Sequence, residues 1–129
     1  MQISNDKATA IGEEIVFKGT PGYPTFSQLN SLTDDEIKIL HDLALTKNLD
    51  DAVSAEWLAA NAELAGRVKD LLGTLQWSHQ REIALFYREE ITRREASVRE
   101  ARMERLTLIA TATGLAALIV AIATVLITA

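Results

Sequence analysis

The longest apolar run of the sequence occupies its C-terminal end. Residues 106–129 contain only Leu, Ile, Val, Ala, Thr and one Gly, with no charged side chain. A helix of these 24 residues would be about 36 Å long, which exceeds the roughly 30 Å hydrocarbon core of a bilayer. A helix that is apolar on every face suits lipid better than the surface of a small soluble domain. The pattern therefore predicts a single transmembrane helix over residues 106–129.

A run of interleaved basic and acidic residues precedes this segment. Between Arg81 and Arg105 the chain has seven Arg and six Glu, and neither Gly nor Pro. Glu95 and Arg99, like two similar pairs upstream, stand four residues apart with the acid first, the order that stabilises an isolated helix. The composition predicts one charged helical stalk over residues 79–105, which enters the membrane without a break.

Residues 31–78 carry apolar side chains at helical spacing and two signals for the start of a helix. Thr33 and Glu36 have the spacing of a capping box, and Ser54 is a second candidate N-cap. We predict a helical hairpin, here called the head, whose second arm kinks, breaks or continues into the stalk near Gly73. Two helices make a thin core, so we expect self-association or a partner to cover the remaining apolar surface.

We predict that residues 1–30 are irregular, with one short strand and a turn-rich stretch. The β-branched and aromatic run Glu14–Lys18 predicts a short strand, and the Pro- and Gly-rich residues 19–24 predict a loop. We expect Tyr23 and Phe26 to pack on the head, with an interaction peptide as the alternative use of this loop. The chain thus reads as an all-α protein with an irregular N-terminal segment over residues 1–30.

Positive charge flanks only one end of the predicted span. Five arginines, including Arg99, Arg102 and Arg105, lie within about 15 residues of its N-terminal end, and no charged residue follows the other end. This asymmetry places the N-terminal region in the cytoplasm and predicts the topology of a tail-anchored, single-pass protein. The Ala-rich span, which has no aromatic residue, favours a bacterial inner membrane.

Two patterns favour a homo-oligomer. A weak heptad-like seam of positions three and four residues apart runs along the stalk into the span, through Ala84, Tyr87, Ile91, Arg94, Val98, Ala101, Arg105 and Leu108. Within the span, small residues recur at the spacing that lets two helices approach closely, at Ala110, Thr113, Gly114, Ala117 and Ala121. One parallel association of identical chains would satisfy both patterns.

The arginines near the membrane have two competing interpretations. They form a solvated helix neutralised by neighbouring glutamates, or Arg99, Arg102 and Arg105 contact anionic lipid headgroups. Nucleic-acid binding is not expected, because residues 1–80 carry twelve acidic and only six basic side chains.

Motifs that carry chemistry are missing from the sequence. It has no phosphate-binding glycine loop, no zinc-binding or nucleophile motif and no Cys, and its two histidines are 38 residues apart. His41 and His79 are therefore interpreted as structural or solvated residues, and the acidic run Asp34–Glu36 as a helix start. We predict no enzymatic activity, no catalytic residue, no metal and no cofactor.

These features together predict a non-enzymatic helical adaptor or self-assembling scaffold that holds a cytoplasmic partner at the bilayer. One alternative is an oligomeric pore or membrane-perturbing effector of a bacterial conflict or lysis system, in which the threonines of the span would line or stabilise a bundle. A second alternative is a single-span accessory subunit of a larger membrane complex.

Overall fold

The computed structural model of the protein describes residues 2–19 and 23–128. Helices make up 84% of the structure and no strand occurs in these two stretches, so the predicted all-α class is confirmed. The chain separates into two compact units, Met1–Thr92 and Arg93–Ala129. The helices are α1 Asn5–Lys18, α2 Asp34–Thr46, α3 Leu49–Ala52, α4 Ala55–Ala60, α5 Ala62–Gly73 and α6 Trp77–Thr128, with a 3₁₀ turn at Leu29–Ser31 between α1 and α2.

The predicted strand at Glu14–Lys18 is wrong, because these residues form the last turns of α1. The buried residues of α1 are spaced three and four apart, which is the period of a helix that buries one face; they are Ala8, Ile11, Gly12 and Ile15. Gly19 ends the helix in the left-handed conformation (φ 60°), and its N–H donates to the carbonyl of Ile15 at 3.0 Å. The predicted irregular segment over residues 1–30 is therefore wrong for residues 5–18.

Helix α1 is part of the core of the head and packs against α5. The contact is close at Gly12, where an added Cβ atom would lie 3.2 Å from Cδ2 of Leu64. Upstream of α1, Ile3 is buried and its N–H donates to the carbonyl of Ala52 at 3.0 Å. The N-terminal segment thus supplies much of the core that a hairpin alone would lack.

The predicted start of α2 is confirmed in atomic detail. The hydroxyl of Thr33 accepts from the N–H of Glu36 at 3.2 Å, and the carboxylate of Glu36 accepts from the N–H of Thr33 at 3.0 Å. Helix α2 ends at Thr46. The cap residue Lys47 donates its N–H to the carbonyl of Leu43, and its left-handed backbone (φ 57°) turns the chain out of the helix. Its ammonium then reaches the carbonyl of Leu75 at 2.7 Å and ties the turn to the segment after α5.

The second arm of the predicted hairpin is two helices, not one. Ser54 caps α4 as predicted, with its hydroxyl accepting from the N–H of Trp57 at 3.1 Å. The helix breaks at Asn61, where the backbone (φ −122°, ψ 38°) is no longer helical, and α5 continues from Ala62. The chain breaks again after Gly73, before α6 begins at Trp77.

The first turns of α6 belong to the core of the head. The buried face of this part of the helix consists of Gln80, Ile83, Ala84, Tyr87 and Glu90. The Gln80 amide donates to the carbonyls of Ala44 and Leu45, both at 3.1 Å, which satisfies backbone groups that α2 leaves unpaired at its C-terminal end. The compact unit therefore extends to Thr92, beyond the head boundary at residue 78 that the sequence predicts.

The loop before α2 is fixed by Tyr87. Phe26, buried as predicted, donates its N–H to the Tyr87 hydroxyl at 2.9 Å, and that hydroxyl donates to the carbonyl of Pro24. Burial raises the pKa of Tyr87 well above its ordinary value, and the nearby carboxylate of Glu14 adds to this effect. Tyr23 is only half-buried, and the rest of the predicted turn, residues 20–22, lies outside the described residues.

Candidate membrane segment and juxtamembrane arginines

The C-terminal half of α6 exposes an unusually large apolar surface. The helix Trp77–Ile127 contains an 18-residue window with a mean hydropathy of 2.3, of which none is buried. An apolar helix in the core of a soluble protein would be mostly covered, and soluble monomers rarely expose contiguous apolar patches of this extent. By length and composition, this is a helix that can cross a membrane.

One side of this helix carries five of its small residues, while Ala112, Ala116 and Ala123 lie on the opposite side. At about 100° per residue, the five positions that the sequence singled out lie within a sector of about 100°; they are Ala110, Thr113, Gly114, Ala117 and Ala121. All five are exposed, and no atom would lie within 4 Å of a Cβ added at Gly114. The structure thus leaves this face open without bringing anything against it.

Two threonines of the segment have intrahelical partners. The hydroxyl of Thr113 donates to the carbonyl of Ile109 at 2.9 Å, and that of Thr124 donates to the carbonyl of Val120 at 2.9 Å. Such bonds to the preceding turn satisfy a hydroxyl without any water or second chain. Neither threonine therefore requires a water-filled helix bundle to provide a hydrogen-bond partner for its hydroxyl.

The three juxtamembrane arginines are exposed and unpaired. Arg99, Arg102 and Arg105 make no ion pair or side-chain hydrogen bond within the part of the chain that the structure describes. The ion pair expected between Glu95 and Arg99 is likewise not formed. In the last two turns before the apolar segment, these arginines are therefore exposed to solvent without an acidic partner in the described structure.

The heptad-like seam is interrupted by the head itself. Its first two members, Ala84 and Tyr87, are 6% and 0% exposed because they pack inside the same chain. They are unavailable for contacts with a second chain unless the head unfolds. Val98, by contrast, is 61% exposed. Any coiled coil along this seam can begin only beyond Ile91, where arginines occupy two of the remaining positions.

The head has aromatic side chains on its outside. Four of the seven aromatic residues of the sequence are at least 39% exposed: Phe17 at 90%, Trp77 at 68%, Tyr23 at 43% and Phe86 at 39%. Phe17 lies on the face of α1 opposite its buried residues, and Phe86 lies away from the buried face of α6. The sequence does not single out these surface positions, because composition and spacing alone do not show which aromatic residues of a helical head face solvent.

The perturbed ionisable groups of the head are structural. Burial alone would raise the pKa of the Glu36 carboxyl. The Lys7 ammonium and the N–H groups of Thr33 and Ser4 lower it by a larger amount, so the pKa of Glu36 lies below its ordinary value. Glu36 thereby joins the start of α2 to the start of α1. This carboxylate and Tyr87 are occupied by the contacts that hold the head together.

Two open clefts lie on the head. One, of about 280 Å³, lies beside α2 and α3 and contains the carboxylates of Asp42 and Asp51. These are already bonded, to His41 at 3.1 Å and to the Asn48 amide at 2.8 Å. No group of three or more metal-ligating side chains occurs in residues 2–19 and 23–128. The second cleft is open and polar, and it is lined by Glu13 and residues 60–64 and 67.

No protein family, curated protein or solved structure matches this chain.

Proposed function

We propose that this protein is a single-span membrane protein whose helical head recruits a partner protein to the membrane surface. The apolar, uncovered half of α6 supports the membrane assignment. The arginines on the head side of the span support a cytoplasmic head, because cytoplasmic flanks carry the excess of Lys and Arg. The alternative of a pore is not favoured, since Thr113 and Thr124 are satisfied within their own helix.

The observation that carries the adaptor proposal is the exposure of large aromatic side chains on a head that already has a complete core. Phe17 and Trp77 are 90% and 68% exposed, whereas Trp57, Phe26 and Tyr87 are at most 3% exposed. Buried aromatic anchors contribute most to protein–protein interfaces. A head that needed them for its own stability would bury them, so we infer that they serve a partner.

Membrane topology can be tested with single cysteines, because the native chain has none. A cysteine at exposed Ser78 should react with an impermeant maleimide only after the cells are opened. A cysteine at Ala129, at the far end of the span, should react in intact cells once the outer membrane, where there is one, is permeabilised. Recovery of the protein in the soluble fraction, or equal labelling at both sites, would contradict the single span.

The recruiting surface can be tested by site-specific photocross-linking in cells. A photoreactive amino acid at Phe17 or Trp77 should give a discrete adduct with another protein. The same amino acid at the exposed polar positions Glu56 and Arg81 serves as the control. An adduct that forms equally at all four positions, or no adduct at Phe17 and Trp77, would contradict the adaptor proposal.

Self-assembly through the small-residue face is the second element of the proposal. Gly114→Leu would place a bulky side chain on that face, whereas Ala112→Leu places the same side chain on the opposite side of the helix. If the span associates through this face, the first change should convert an oligomer to monomers in nanodiscs and the second should not. Equal behaviour of the two variants in light scattering would contradict association through Gly114.

A further inference from the structure

We propose that Arg99, Arg102 and Arg105 form a binding face for the phosphate groups of anionic phospholipids in the leaflet on the side of the head. The proposal rests on the single span proposed above and adds the chemical class of lipid that the protein selects. It is carried by the arrangement of charge on the last turns before the span.

Basic and acidic side chains are segregated on this part of α6. At about 100° per residue, Arg99, Arg102 and Arg105 fall within a sector of about 120°. The two acidic residues of the same stretch, Glu100 and Glu104, lie on the opposite side, and all five side chains are exposed. The helix therefore presents one basic face and one acidic face, and its charges do not neutralise each other locally.

The arginines have few acidic neighbours with which to pair. Side chains on a helix meet those three and four positions away. For Arg102 these neighbours are Val98, Arg99, Arg105 and Leu106. For Arg105 they are Ala101, Arg102, Leu108 and Ile109. Only Arg99 has an acid at such a position, Glu95, and the two are not bonded. Like charges three residues apart destabilise an isolated helix, so an anionic partner would relieve a real cost.

The distance from the span matches the depth of the headgroup layer. At about 1.5 Å per residue, Arg102 stands about 4.5 Å and Arg99 about 9 Å before Arg105, which directly precedes the apolar segment. The headgroup region of one leaflet is about 5–8 Å thick. Long arginine side chains can extend from all three positions to lipid phosphates, which guanidinium groups bind in a bidentate geometry.

The test compares the full-length wild-type protein with two variants in nanodiscs of equal parts phosphatidylglycerol and phosphatidylcholine. The first variant, R99Q/R102Q/R105Q, removes the basic face. The second, R102E/E104R, keeps composition and net charge but places an acid three residues from both Arg99 and Arg105, where it pairs with them. Lipid that remains bound after transfer to mild detergent is then identified by native mass spectrometry.

We expect wild-type protein to retain phosphatidylglycerol over phosphatidylcholine by about fivefold at low salt, the effect of one net positive charge at an anionic surface. Both variants should lose most of this preference, and 0.5 M NaCl should weaken it in the wild type. A wild type without preference, or a swap variant equal to wild type, would overturn the basic face.

A control separates this proposal from the proposed span. Wild type and both variants should float equally with vesicles of phosphatidylcholine alone, because the apolar segment is unchanged. Protein that floats but shows no preference for phosphatidylglycerol overturns only the basic face. Protein that does not float overturns the span and the basic face together.

Discussion

Tyr87 allows a direct test of how α6 is held in the head. Its side chain is 0% exposed, and its hydroxyl is bonded to two backbone groups of one loop, the carbonyl of Pro24 and the N–H of Phe26. Pro24 and Phe26 are themselves buried, so water cannot replace the hydroxyl. Tyr87→Phe removes only the hydroxyl and preserves the packing of the ring.

The magnitude follows from the two groups that lose their partner. A buried donor or acceptor left unsatisfied costs about 1–3 kcal/mol. For the carbonyl and the N–H together, we expect Tyr87→Phe to lower the free energy of unfolding by about 2–6 kcal/mol. The matched control is Tyr23→Phe, because the Tyr23 hydroxyl has no hydrogen-bond partner in the described structure. The Lys18 ammonium lies 5.1 Å from the centroid of the Tyr23 ring, and the substitution preserves that ring. The control should stay within about 0.5 kcal/mol of wild type.

The assay is urea unfolding of the full chain in mild detergent, followed by tryptophan fluorescence. Trp57 reports on the core, since it is 3% exposed and its indole N–H donates to the hydroxyl of Thr9 at 3.0 Å. Trp77, at 68% exposed, should contribute little change. A Tyr87→Phe variant as stable as Tyr23→Phe would refute the reasoning that Tyr87 fixes the loop.

Alkaline pH provides a second readout of the same group. Burial raises the pKa of Tyr87 above its ordinary value of 10. The stability contributed by the neutral hydroxyl is therefore complete below pH 10 and decreases as the pH rises above 10. This loss should be present in wild type and absent in Tyr87→Phe.

Three further variants test the head by the same assay. Glu36→Gln should destabilise the head by about 1–2 kcal/mol at neutral pH. Because the pKa of Glu36 is lower in the folded state, the stability that its carboxylate contributes is complete above pH 4.5 and declines as the pH falls below 4.5. The variant should lack this decline. Ser54→Ala should cost about 1 kcal/mol through loss of the α4 cap. Gly66→Ala should stabilise the head by about 0.5–1 kcal/mol, because nothing lies within 4 Å of the added Cβ.

Each of these variants has a matched control. Glu63→Gln removes an exposed carboxylate paired with Arg67, and should leave stability unchanged. Ser78→Ala removes an exposed serine that caps nothing. Gly12→Ala adds the same methyl group to a helix, but against Leu64 at 3.2 Å, and should gain less than Gly66→Ala. Equal effects in a variant and its control would contradict the assigned contact.

The sequence predicted those elements whose signals are local. The capping box of Thr33 and Glu36 and the cap at Ser54 each depend on a few adjacent residues, and the structure has both. Of the alternatives that the sequence leaves open near Gly73, the structure has a break. The apolar segment is equally local, because its length and composition suffice. Helix α1 was missed because the β-branched run before Gly19 has strand propensity, and packing against α5 overrides such a preference.

The sequence does not determine the boundary between head and stalk, because the same apolar pattern is compatible with packing on the head and with packing on a second chain. Ala84, Tyr87 and Ile91 have a spacing that serves a coiled coil and equally the face that a helix packs on its own domain. The hydrogen bonds of Tyr87 to Pro24 and Phe26, more than 60 positions away in the chain, show that this face packs on its own domain. Once those positions are used internally, the surface left for a second chain lies beyond residue 92. That stretch carries the small-residue face of α6, so we expect any self-association to depend on its apolar C-terminal part rather than on the head.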